Sequence, residues 1–409
     1  MLKTLGMLLL NDFCGNSSVG RAQPCQGWGR EFEPRFPLSV MENRSIVLIS
    51  NNFWTLFKFR YEIIMHLRNK GFEIHLIAEV DGYEDNFHNI DNIKCHNVNF
   101  SGRSINLINE LKIYFRLKRL LKLIKPTFLF SYTIKPNIYS GLLSKSSNVV
   151  FIPMVTGLGY FFNNLKKPVR KLVHILLRSS FLSAKTVWFT NSSDKQYYID
   201  NGIIKKSIDA SIIMGAGIDF THVPNNDKDI KNETTFLMIS RLLNEKGTSE
   251  FIQAAKYFFK FNKYKFILVG AHENNHHYVK KYLVEHAVRD NVLEYYDFTD
   301  DIDQYYDRAT CVVLPSYREG LSTILLEATA RKIPVITADV PGCRDIIKDE
   351  SYGFLCKPKS AQSLVDAMNR YIRAPDDDLL KKVNKAYEFV RDNCSRTKIL
   401  EEYDKILNH

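Results

Sequence analysis

Between Cys311 and Asp339 the chain reads CVVLPSYREGLSTILLEATARKIPVITAD, an apolar strand closing at Pro315, a turn holding Gly320, a helical pattern and a second apolar strand, Val335–Asp339. Strand, helix and strand joined this tightly form the crossover unit of a parallel α/β sheet, which takes ligands at the carboxyl ends of its strands. Glu319 and Glu327 stand eight positions apart, the first at the strand end and the second within the helix, so both carboxylates can face one cleft. An ionised carboxylate accepts charge-assisted hydrogen bonds from two vicinal hydroxyls, which points to a sugar ring or a ribose as the group held. Two unrelated surface glutamates would be the plainer reading of an isolated pair; the residues flanking this one decide against it.

The same alternation runs along the chain. Strand patterns fall at Ser45–Ser50, Phe72–Val80, Thr127–Thr133, Val149–Thr156, Thr186–Asn191 and Ala210–Met214, with a Phe/Trp-rich loop over Asn51–Phe59 and a helix over Tyr61–Lys70 stopped by Gly71. A polar break at Asn225–Asp229 marks a linker, and Thr234 opens a second series: Thr235–Ser240, Phe266–Gly270, Leu293–Phe298, Cys311–Pro315 and Val335–Asp339. Helical patterns at Ala361–Tyr371, Asp377–Asp392 and Thr397–Leu407 close the chain. With 409 residues, 45% of them hydrophobic, the chain has enough material for two α/β cores. The expected fold is therefore two doubly wound domains, at 41–224 and 234–388, with 389–409 as a closing helix.

Two further stretches suit phosphate. The strand Thr235–Ser240 runs into Arg241 and Lys246, a planar fork and a mobile point charge before a helix. Gly215-Ala216-Gly217-Ile218-Asp219 follows the strand Ala210–Met214; its glycines would let the backbone approach a ligand, and a plain turn before the linker fits equally well. In the first domain, Thr133 and Lys135 sit at a strand end before Pro136, and Gly157 and Gly159 follow the next strand, both where an open sheet presents its cleft. Lys135 reads equally as a phosphate-binding cation or as a loop cap, and Arg60, after the aromatic segment, is a weaker candidate of the same kind.

Taken together, Glu319-Gly320-Leu321 through Leu326-Glu327-Ala328, then Pro334-Val335-Ile336, Pro341 through Asp345 and Gly353-Phe354-Leu355 resemble the retaining, nucleotide-sugar-dependent glycosyltransferases of the GT-B fold, in the group that includes capsular and lipopolysaccharide sugar transferases. The resemblance implies that Glu319 contacts the donor sugar and Glu327 the ribose hydroxyls. It places Gly320, Leu321 and Ser322 in the donor loop, and Arg241 and Lys246 on the leaving diphosphate, so no metal or other cofactor is expected. Gly215 and Gly217 would line the cleft, and the last helix would cross back onto the first domain. Many relatives carry a His at the strand end where this chain has Tyr132, Thr133 and Ile134, so the group assisting the acceptor is open.

Charge is concentrated. Residues 101–210 hold 18 Lys/Arg against 4 Asp/Glu, a net of +14 where the whole chain carries +11. Within Leu107–Lys125, Lys112, Arg116, Arg119 and Lys122 repeat at helical spacing beside Leu111, Tyr114, Phe115, Leu121 and Ile124, and Leu165–Ser183 is a second basic helix. Such helices fit either an anionic membrane surface or a solvated outer face; nucleic acid is not expected, since no recognised module accompanies the charge. No apolar run of eighteen residues occurs, and the seven cysteines show no CxxC pair and no His at ligand spacing, which suggests reduced thiols in a cytoplasm.

Residues 1–40 stand apart: Ser17–Ala22 and Glu31–Pro34 can be encoded by the D-arm and T-loop of a bacterial transfer RNA, at close to their separation in that RNA. The expectation is a translated neighbouring gene with the native start at Met41, rather than a secretory signal, because the apolar Met7–Leu10 is short and broken at Asn11-Asp12. The functional expectation is sugar transfer with retention from a nucleotide sugar to a saccharide or lipid-linked saccharide, by an enzyme on the inner membrane face. Uridine diphosphate carrying an N-acetylhexosamine or galactose is the favoured donor, with guanosine diphosphate-mannose next. An epimerase or hydrolase of the same fold, or a non-catalytic saccharide-binding subunit, are the alternatives.

Overall fold

A computed structural model describes residues 44–100, 107–158, 167–221, 234–273 and 277–408. The expectations for residues 1–40, the Met41 start, the linker at 225–229, and Gly159 with Tyr160 and Phe161 lie outside the described residues.

The first half builds β1 (Ser45–Asn52), α1 (Phe53–Asn69), β2 (Glu73–Glu79), β3 (Ile93–Asn97), α2 (Leu107–Ile124), β4 (Phe128–Tyr132), α3 (Ile134–Ser144), β5 (Val150–Val155), α4 (Lys167–Phe181), β6 (Thr186–Phe189), α5 (Ser192–Asp200) and β7 (Asp209–Ile212). They form a parallel sheet of order β3-β2-β1-β4-β5-β6-β7. Alternate residues of β1 serve opposite faces, as the two-residue period of a strand requires. Ile46 and Leu48 join one core with Phe53, Leu56 and Ile63, while Val47 and Ile49 join another with Ile113 and Leu117.

The second half gives β8 (Thr234–Ile239), α6 (Thr248–Phe259), β9 (Tyr264–Val269), α7 (Lys281–Arg289), β10 (Glu294–Tyr296), α8 (Asp303–Arg308), β11 (Cys311–Leu314), α9 (Thr323–Ala330), β12 (Val335–Ala338), β13 (Phe354–Cys356), α10 (Ala361–Arg373), α11 (Asp376–Cys394) and α12 (Arg396–Leu407). Its sheet, also parallel, has the order β10-β9-β8-β11-β12-β13. The architecture is thus two parallel-sheet α/β domains.

Several boundaries differ from the sequence expectation. The aromatic segment Asn51–Phe59 is no loop: α1 begins at Phe53, because the Asn52 side chain caps it by accepting from the Thr55 amide at 3.2 Å. Its aromatics pack against one another, Phe57 on Tyr61 and Trp54 on Phe59. Pro136 reads as the first residue of a helix, but α3 starts two residues earlier at Ile134, and its first turn tolerates the proline because no intrahelical partner awaits the missing amide hydrogen. β3 and β13 are additional edge strands. α11 stays in the second core through Val390 and Cys394, so the crossing comes at Ser395 rather than at 389. α12 then returns to the first domain, where Tyr403 packs on Trp188 and Phe130 and its hydroxyl lies 2.9 Å from that of Tyr132.

Candidate active site

Each sheet reverses its strand order once, between β1 and β4 and between β8 and β11. A crevice opens outside the strand ends at such a switch point. In the second sheet those ends carry Arg241 and Lys246 after β8 and Glu319 after β11. The Lys246 Nζ lies 2.6 and 2.8 Å from the two carboxylate oxygens of Glu319, and Ser316 Oγ donates to the same carboxylate at 2.6 Å. Both charges are largely enclosed, with 19% of the Lys246 side chain and 11% of the Glu319 side chain exposed. Gly247 lets the loops meet, since a Cβ there would collide with the Pro315 carbonyl. Arg241 is exposed at the same strand end.

Ser322 caps α9, its hydroxyl accepting from the Leu325 amide at 3.3 Å. The free amides and positive dipole end of that helix therefore lie directly after the Glu319 loop, an arrangement that favours an anion. Glu327 lies farther along the same helix and accepts from the Tyr306 hydroxyl at 2.9 Å. Burial pushes its pKa up, partly offset by that hydrogen bond and by the Arg331 charge. Arg331 stacks over the Tyr306 ring, 4.5 Å from its centre, and holds the tyrosine in place.

The first domain closes directly on this loop. A Cβ at Gly157 would stand 2.9 Å from the Gly320 Cα, and one at Gly320 would collide with the Thr156 carbonyl. The Asn191 side-chain amide donates to the Gly320 carbonyl at 2.7 Å. Arg318, beside Glu319, forms an ion pair with Asp194, a fully buried carboxylate that also accepts from Asn191 Nδ2 at 2.8 Å and the Leu158 amide at 3.2 Å. Asp345 accepts from the Ser192 amide and hydroxyl at 3.1 and 3.0 Å and from the Gly342 amide at 3.0 Å. At the opposite lip, Lys58 pairs with Asp300, and the Tyr83 hydroxyl donates to Asp300 at 3.2 Å.

The remaining sequence candidates are placed less directly. Thr133, at φ 75°, donates its hydroxyl to Asn51 Oδ1 at 2.9 Å, across the switch point of the first sheet. Lys135 pairs with Glu110 of α2 at 2.7 Å, which favours the loop-cap reading over a phosphate ligand. Arg60 is buried, donating to the Phe59 carbonyl at 2.7 Å with its guanidinium 4.5 Å from the centre of the Tyr132 ring. Gly215 faces Leu321 of the loop that follows Glu319, at 3.0 Å from an added Cβ. Gly217 instead meets Arg396, whose Cα would lie 2.7 Å from its Cβ, so it serves the crossing into α12. Among the described residues no three His, Cys, Asp or Glu side chains gather closely enough to hold a metal ion, and no helix is long and apolar enough to cross a membrane.

Residues 223–389 match the family Glycosyl transferases group 1, and residues 45–191 match Glycosyl transferase 4-like, so the matches divide the chain as its two sheets do. The chain is a glycosyltransferase of the GT-B fold. Among this enzyme's relatives is the N,N'-diacetylbacillosaminyl-diphospho-undecaprenol alpha-1,3-N-acetylgalactosaminyltransferase of Campylobacter jejuni subsp. jejuni serotype O:2, 26% identical over 87% of this chain and 97% of its own length. Another is the UDP-Gal:alpha-D-GlcNAc-diphosphoundecaprenol alpha-1,3-galactosyltransferase of Escherichia coli, 25% identical over 83% of this chain and 87% of its own. Among solved structures, Anabaena HepE in complex with UDP-glucose superposes with a TM-score of 0.69 at 17% identity, over 89% of this chain and 99% of that one.

Proposed function

We propose that this glycosyltransferase moves a hexose or N-acetylhexosamine from a UDP-sugar, with retention at the anomeric carbon, to a saccharide linked through a diphosphate to a polyprenyl lipid. The observation that carries the donor site is the Lys246–Glu319–Ser316 cluster at the switch point of the second sheet, next to a helix N-terminus and facing the first domain across Gly157. The lipid-linked acceptor is supported by the reactions named for the Campylobacter and Escherichia relatives, and the uridine donor by the latter's name and by the UDP-glucose held in the HepE structure.

In this reading Arg241 and Lys246 take the charge that develops on the departing diphosphate, together with the α9 amides; preorganised donors of this kind account for much of the rate in such a step. Glu319, held by Lys246 and Ser316, accepts from hydroxyls of the donor ring, and Glu327 from the ribose. The carboxylates at the junction are otherwise engaged: Asp194 by Arg318, and Asp345 by Ser192 and Gly342. In this reading neither Asp194 nor Asp345 serves as the second carboxylate of a glycosidase-like pair, and retention proceeds by same-face attack through an oxocarbenium-like state, the diphosphate taking the acceptor proton. No step draws on a metal ion. Isothermal titration with UDP tests the site: binding that survives in wild type and fails in a Glu327→Ala variant supports it, and a wild type that binds no nucleotide overturns it.

A further inference from the structure

On one face of the first sheet, α2 and α4 flank α3, and each turns a mixed apolar and cationic stripe away from the core. Ile113 and Leu117 of α2 point inward, whereas Ile108, Leu111, Phe115 and Leu123 lie open to solvent among the exposed Lys112, Arg116, Arg119 and Lys122. In α4, Leu177 and Phe181 are buried, while Leu172 and Ile175, with Leu182 just beyond, stand outward beside Lys171 and Arg178. These seven outward apolar residues are between 47% and 78% exposed. A helix that only covers a sheet presents polar residues on its outer side. Outward Leu and Phe interleaved with Lys and Arg are the composition of a helix lying in a lipid interface.

Charge complementarity selects the occupant, because the net +14 over residues 101–210 suits a surface of lipid phosphates. Topology sets the orientation. Each crossover helix runs back against its strands, so the N-terminal ends of α2 and α4, with Ile108, Leu111 and Leu172, lie at the carboxyl edge of the sheet, where the cleft opens.

We propose that this two-helix face docks the enzyme on an anionic bilayer, its apolar stripes entering the headgroup region and its cations meeting the lipid phosphates, with the cleft mouth beside the membrane. Docking stands on the surface alone; its use, bringing a lipid-linked acceptor to the cleft, rests on the acceptor proposed above.

Flotation with vesicles of phosphatidylcholine containing phosphatidylglycerol, and with phosphatidylcholine alone, tests it at low and high salt. Wild type should float with the anionic vesicles and lose part of that binding in high salt. Combining Lys112→Gln, Arg116→Gln, Arg119→Gln and Lys122→Gln should lower partition by roughly several hundredfold, since each of the four cations contributes about fivefold near an anionic surface. Combining Leu111→Ser, Phe115→Ser, Leu172→Ser and Ile175→Ser should lower it by roughly tenfold or more at either salt. Both variants should keep the wild-type rate on a short-chain, water-soluble form of the acceptor, because the donor site lies on the other sheet. The proposal is overturned if wild type does not float, if the apolar variant floats as well as wild type, or if sedimentation shows that the substitutions dissolve a dimer of this chain instead. A wild type that floats but transfers to no lipid-linked acceptor would sink the acceptor reading and leave the docking surface standing.

Discussion

Removing Arg318 should cost far more activity than neutralising its partner Asp194, and the asymmetry follows from where each charge is left. In Arg318→Ala the Asp194 carboxylate remains fully buried with only Asn191 Nδ2 and the Leu158 amide to satisfy it. Stripping one partner from a buried ion pair costs ~3–5 kcal/mol, and the two retained hydrogen bonds put this case at the low end, about 3 kcal/mol. In Asp194→Asn the stranded group is Arg318, whose side chain is 32% exposed and can turn to water. The loss there resembles that of an ordinary hydrogen bond, ~1 kcal/mol. Because the pair joins the two sheets, the cost falls on the closed arrangement that sets Gly320, next to Glu319, against Gly157, and hence on kcat/KM. At 1.36 kcal/mol per factor of ten, Arg318→Ala should lose roughly a hundredfold and Asp194→Asn less than about tenfold. Steady-state transfer assays on both variants, beside urea unfolding to show that each remains folded, measure this directly. Equal losses, or a worse Asp194→Asn, would refute the argument.

Glu327→Gln should raise the donor KM, because an amide accepts more weakly from ribose hydroxyls, and should stabilise the fold at neutral pH. Burial raises the Glu327 pKa, so folding favours its protonated form; this contribution is fully present below the ordinary carboxylate range and is lost as pH climbs through the raised value. Wild type and variant should therefore converge in stability at acid pH and diverge above that window, and wild-type donor KM should rise as Glu327 takes up its proton; parallel thermal melts across pH would contradict the sign. Arg241→Ala should lower kcat by on the order of 2–4 kcal/mol in transition-state terms, as when one preorganised donor to a developing anion is lost, and a wild-type kcat would remove Arg241 from the site.

Much of this is legible because alternating strand and helix patterns report burial directly, and because the proposed donor residues sit within one or two loops of the sequence. Glu319 and Lys246 were both expected, though not their ion pair: 73 residues separate them, and only the β8–β11 pairing places their loops side by side. The α1 start was missed because a dense aromatic run reads as a loop when its cap, Asn52, is one of two adjacent asparagines. The Asp194–Arg318 contact spans 124 residues and carries little local signal. Locally Asn191 caps α5, its side chain accepting from the Asp194 amide at 2.7 Å, and nothing in that pattern points across to Arg318. Outward Leu111 and Phe115 were indistinguishable from inward Tyr114, Leu121 and Ile124 on α2, since all follow helical spacing and only packing against β1 and β4 sorts them.

The most direct test of the proposed reaction is the anomeric configuration of its product. The enzyme is given an α-configured UDP-sugar, isotopically labelled at the anomeric carbon, and a short-chain polyprenyl-diphosphate saccharide, and the new linkage is read by NMR. Transfer with retention at the Lys246–Glu319 site predicts an α-linked product that disappears in Lys246→Ala. A β-linked product, or undiminished α-transfer by that variant, would contradict the account.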